Sequence, residues 1–69
     1  MGLVRLRIRE MADERGWTLM DVADRSGVPY STVRHYARSE LATVDLSSVQ
    51  KIAQTFDALI EDLLEVVKE

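Results

Sequence analysis

Apolar residues recur at spacings of three and four along most of this chain, and the breaks in that rhythm fall at residues able to start or stop a helix. Residues 18 to 39, TLMDVADRSGVPYSTVRHYARS, hold the densest set of such signals. Thr18 can place its hydroxyl on the free N–H groups of a helix start, and Asp21 stands where the acid of a capping box belongs. Val22 and Ala23 form a narrow apolar face, and Gly27 can take the left-handed conformation that ends a helix without steric cost. Pro29, with a fixed φ and no N–H, suits the start of a second helix at Pro29 or Tyr30, where Ser31 and Thr32 can satisfy first-turn donors. Within it Val33, Tyr36 and Ala37 recur on the inward side, so Ser31, Arg34, His35 and Arg38 point outward.

The flanking segments read as support. Val4, Ile8, Met11 and Ala12 follow helical spacing, which predicts a first helix over residues 4 to 15, ending at Gly16 with Trp17 as a large core residue behind the turn. Val4, Leu6 and Ile8 also alternate with Arg5, Arg7 and Arg9, so residues 3 to 9 stay open between helix, the preferred reading, and a strand with a basic face. Such an edge strand could pair with a second subunit. After Ser39 a polar connection leads to Asp45 or Ser47, either able to cap a helix through Val49, Ile52, Ala53 and Phe56. A last helix carries Leu59, Ile60, Leu63, Leu64 and Val67. Because the stripe keeps its period from 49 to 67 and only Asp57 interrupts it, one long helix is the alternative to two. The expected architecture is an all-α bundle of about five short helices, one domain over residues 1 to 69, with a helix-turn-helix unit at about 18 to 38.

Composition narrows what such a bundle can do. A chain of 69 residues buries one small core, worth only about 3–5 kcal/mol of net stability, to which dimerisation can add. Without Cys there is neither a disulfide framework nor a thiolate metal site. No apolar run approaches the roughly 18 residues of a membrane span, and no uninterrupted apolar stretch follows the N-terminal arginines as a secretory signal requires. Met1-Gly2 is followed by Leu6 where myristoylation wants Ser or Thr, and a cytoplasmic protein is expected. A single His, no glycine-rich phosphate loop and acid pairs such as Glu61 and Asp62, whose adjacent helical positions do not converge, leave little from which to build an enzyme. Neither a cofactor, a metal nor a small-molecule ligand is expected.

Charge changes the picture through its distribution. The net charge is −3, yet residues 1 to 38 carry seven Arg against five acids while residues 39 to 69 carry two Lys against seven. Between 25 and 38 there are three Arg, one His and no acid, so the local field over the second of the two central helices is positive. Its outward face of hydroxyl, guanidinium and imidazole groups offers donors and acceptors to base edges and phosphates. Binding to double-stranded DNA should be modest in strength and strongly salt-sensitive.

The order of these marks resembles the small helix-turn-helix domains of the phage lambda repressor and Cro, the XRE family. The matching residues are Ile8 and Met11, Gly16 before Thr18, Val22-Ala23, Gly27-Val28, Ser31-Thr32-Val33, Lys51-Ile52-Ala53, and Leu63-Leu64. The resemblance implies a transcriptional regulator whose third helix, residues 30 to 38, lies in the major groove, usually as a homodimer on a two-fold related site. It places Tyr30, Ser31 and Thr32 at the start of the reading helix and Arg34 and His35 one turn on, as base contacts, with Thr18, Arg38 and Ser39 as phosphate contacts. Tyr30 could instead pack on the preceding helix, and the Arg5, Arg7, Arg9 run reads first as a solvated face, with contact to phosphate as its alternative. The chain departs from the family pattern at Leu19 (often Gln), Ser39-Glu40 (commonly Gly-Lys), Asp57 (Gly) and Leu59 (a Ser or Thr cap), which weakens expected phosphate grip and puts the last turn in doubt. The alternative function is a protein-interaction module, antitoxin-like or accessory, using Leu19, Met20 and the C-terminal apolar stripe.

Overall fold

In the computed structural model, which describes residues 3–67, five helices are closed off by a two-stranded antiparallel sheet that joins the two ends of the chain. Met1, Gly2, Lys68 and Glu69 lie outside the described residues, and so does the Met1-Gly2 acylation question. The order is β1 (Leu3–Leu6), α1 (Ile8–Glu14), α2 (Leu19–Ser26), α3 (Tyr30–Arg38), α4 (Leu46–Thr55), α5 (Ile60–Leu63) and β2 (Leu64–Val67). The fold is thus mostly helical rather than all-α, and two expectations need correction.

The first correction is at the N-terminus, where the helix expected over 4 to 15 is confined to α1 and residues 3 to 6 are strand. Val4 and Leu6 turn one way and Arg5 the other, the alternation the sequence also offered. What decides for strand is the partner: Leu3, Val4, Arg5 and Leu6 lie opposite Val67, Val66, Glu65 and Leu64. On its other edge Val4 exchanges both backbone hydrogen bonds with Leu41, at 2.9 and 2.7 Å.

The second correction is at the C-terminus. The single long helix does not form, and the last helix is four residues long instead of running to Val67. Asp57 takes a left-handed φ of 56°, while the Ala58 N–H bonds the Ala53 carbonyl and the Asp57 N–H bonds Gln54. This is a Schellman closure, with Asp57 at the position glycine usually fills. The same pattern ends α1, where Gly16 has φ 71°, Trp17 N–H bonds Ala12 and Gly16 N–H bonds Asp13. The two closures meet, because Phe56 stacks on Trp17 with ring centroids 5.7 Å apart. Leu59, expected on the apolar face, is 62% exposed at the start of α5. Beyond Leu63, the β-branched pair Val66 and Val67 suits an extended chain, and β1 supplies the ladder.

The core collects Ile8 and Ala12 of α1, Val22 and Ala23 of α2, Val33 and Tyr36 of α3, Val49, Ile52 and Ala53 of α4, with Phe56 and Leu63. It also takes Leu6, Val28 and Leu41, three residues that the helical periodicity did not single out. Asp45 is the residue that caps α4, accepting from the Ser48 N–H at 3.2 Å and the Ser48 hydroxyl at 2.7 Å. α3 is braced by α2, α1 and β1, so the sheet supports the outward helix from behind.

Candidate nucleic-acid interface

The helix-turn-helix forms from the local groups expected of it. Thr18 Oγ1 accepts from the Asp21 N–H at 3.1 Å and Asp21 Oδ2 accepts from the Thr18 N–H at 2.9 Å, a complete capping box. These two bonds hold the Asp21 carboxyl below its ordinary range, with Arg25 adding a smaller attraction. α2 ends as Gly27 adopts φ 76° and its N–H bonds the Ala23 carbonyl. Val28 is buried immediately after, and its N–H donates to Ser26 Oγ at 3.2 Å. Pro29 then caps α3 with its own carbonyl, which accepts from Thr32 and Val33 at 3.0 and 3.1 Å. The Thr32 and Val33 donors are therefore met by backbone, and the Ser31 and Thr32 hydroxyls do not cap this helix.

α3 is locked at both ends. Val33 is fully buried, and Tyr36, at 8% exposure, spends its hydroxyl accepting the Asp45 N–H at 2.9 Å, not on the solvent or carbonyl partner a tyrosine at this position suggests. The loop to α4 is thus pinned to the helix it follows. On the opposite side Ser31, Arg34, His35, Arg38 and Ser39 line one surface groove. His35 leans on the Tyr36 ring at 6.0 Å, and every ion pair among the described residues belongs to Arg5 or Arg15. Arg34 and Arg38 of α3 therefore have no carboxylate partner among the described residues.

The other expected contact residues sit differently. Tyr30 is 40% exposed at the first position of α3, and Thr32 is half-buried beside the groove set. Thr18 is exposed at the start of α2, its hydroxyl already accepting from Asp21 but still carrying a proton to donate. Arg25, counted in the positive stretch of sequence, lies 4.3 Å over the Trp17 ring and lines neither groove beside α3. Arg15 is likewise absorbed, donating to the Phe56 and Met11 carbonyls at 2.7 and 2.9 Å.

Arg9 is a residue that periodicity treated as part of a solvated face. The structure places it in a second groove with Arg5, Glu10, Arg38, Ser39 and Glu40, contiguous with the first through Arg38 and Ser39. The only signal in the sequence was the alternation of residues 4 to 9, which does not reveal that β1 and α1 pack against α3. Of the surface named for a protein-interaction role, Leu19 is half-buried against the core and Val49, Ile52, Ala53, Phe56 and Leu63 are buried, whereas Met20, Leu59 and Val66 remain exposed.

No helix among the described residues is long and apolar enough to cross a membrane. No characterised protein and no solved structure matched the chain significantly. A family model does match, that of the Cro/C1-type HTH DNA-binding domain over residues 7–69, and the chain belongs to that family.

Proposed function

We propose that this protein binds double-stranded DNA sequence-specifically as a cytoplasmic transcriptional regulator, with α3 in the major groove. The observation that carries the reading is the groove of Ser31, Arg34, His35, Arg38 and Ser39, free of carboxylates, on the outward helix of a Cro/C1-type unit. In this reading Ser31 and His35 contact bases, with Arg34 reaching a guanine or a phosphate, and Tyr30 and Thr32 complete the set at the helix start. Arg38 and Ser39 hold phosphate. Thr18 does so too, through its hydroxyl proton beside the unpartnered Leu19 and Met20 amides at the start of α2. The Asp21 carboxylate stands at that same helix start, so this contact is the weaker one. No cofactor or small-molecule ligand takes part.

Two copies are proposed to act together. The support is the outer edge of β2, where Val66 is 65% exposed and neither proline nor lysine blocks pairing within Leu64–Val67. Selection of bound sites from a random duplex pool tests the whole reading. A palindromic consensus is the expected product, and no enrichment together with no binding at low salt would sink it. His35→Ala and Ser31→Ala should shift the preferred site, whereas Arg38→Ala should weaken all sites alike.

A further inference from the structure

The second groove, lined by Leu3, Arg5, Leu6, Arg9, Glu10, Ala37, Arg38, Ser39 and Glu40, has a charge balance that its composition hides. Arg5 is occupied, at 3.1 Å from Glu65 and 3.6 Å from Glu10. That removes one cation and one acid from the groove together. What remains are Arg9, exposed on α1, and Arg38, exposed at the end of α3, facing Glu40 as the one acid outside an ion pair. Both arginines lack a carboxylate partner among the described residues although an acid shares their groove. Two unpaired guanidinium groups on a groove that continues into the α3 surface match the charge and hydrogen-bonding chemistry of a sugar-phosphate strand.

We infer that Arg9 is a DNA backbone-phosphate contact, extending the interface from α3 across the groove onto α1 beside Arg38. The inference rests on the DNA-binding reading proposed above. Its ligand chemistry is that of a phosphodiester, so Arg9 adds affinity on every sequence and does not choose among sequences. The Arg5–Glu65 pair ties β1 to β2 under the groove, so the two strands position α1 against the end of α3.

The test compares salt titrations of the full chain and its Arg9→Ala and Arg7→Ala variants on one duplex. Arg7 is exposed and lies outside the groove, so its loss makes the same change in net charge without removing the contact. Arg9→Ala should flatten the slope of log affinity against log salt by about 0.9, and Arg7→Ala should leave it unchanged. Over a fourfold rise in salt the unmodified chain then loses about threefold more affinity than Arg9→Ala. Arg9→Gln, which keeps most of the stem, should match Arg9→Ala and guards against a folding effect. Equal slopes for the unmodified chain and Arg9→Ala, equal losses from Arg7→Ala and Arg9→Ala, or a changed site preference for Arg9→Ala would each overturn the inference while leaving DNA binding intact. Absence of any DNA binding by the unmodified chain overturns the functional reading itself, and the inference with it.

Discussion

The helix-turn-helix and the closing sheet are held by opposite kinds of contact. In α2 and α3 the decisive bonds join residues three or four apart: Thr18 with Asp21, Ala23 with Gly27, Pro29 with Thr32 and Val33. In the sheet the decisive contacts join residues about sixty apart, as in the Arg5–Glu65 hydrogen bond and the Val4–Val66 pairing. The first kind is encoded by neighbours and forms wherever those neighbours stand. The second exists only once both ends of the chain have been brought together, and it carries a larger loop-closure cost.

That contrast is open to direct attack, most severely at Phe56, where α4 ends and the Trp17 ring stacks. Phe56→Ala should cost about 3–5 kcal/mol, comparable to the whole stability expected of a core this size. Far-UV circular dichroism should then show loss of the helices as a unit. Survival of most helical signal would mean that the helix-turn-helix is independent of the closing region. Gly27→Ala probes the local side: a Cβ there meets nothing within 4 Å, so the cost is the left-handed backbone alone, about 1–2 kcal/mol by chemical denaturation. A larger loss would point to a packing role that the structure does not contain.

Asp57→Gly tests another local closure in the opposite direction. Relief of its positive φ should stabilise the protein by up to about 1 kcal/mol, a rise of several degrees in the melting midpoint. A lower midpoint would show that the aspartate side chain stabilises its own turn. The Arg5–Glu65 pair is half-exposed, and a double-mutant cycle should return a coupling of about 0.2–1 kcal/mol that shrinks with salt. A coupling that ignores salt would mean the pair is more shielded than its exposure indicates. The subtlest effect is at acid pH. Asp21 has a folded pKa below the unfolded value of 3.8, so its stabilisation is present above that pH and lost as pH falls through the lower folded value. Asp21→Asn should therefore flatten the acid limb of the stability profile, and an unchanged limb would remove the carboxylate from the cap's energetics.

The legibility of the site follows the same division. Ser31, Arg34, His35 and Arg38 were readable as one outward face because spacings of three and four fix their direction on a helix. Ser39 joins that groove from just beyond the helix end. Arg9 was not readable as part of it, because its place beside Arg38 comes from the packing of α1 and β1 against α3. Arg25 erred the other way: charge counting put it in the binding field, and the Trp17 ring holds it elsewhere. Asp57 interrupts the apolar stripe by a single residue, and that is enough to end a helix because its backbone turns left-handed.

From the sequence alone came the cap of α2, the glycine turn and the outward basic face of α3, because each depends on interactions within one or two helical turns; the cap of α4 was narrowed to Asp45 or Ser47, and the structure chose Asp45. Only the tertiary structure decided whether residues 3 to 6 and 64 to 67 are helix or strand. Their apolar positions satisfy both periods, and the choice belongs to hydrogen-bond partners that no local pattern can specify.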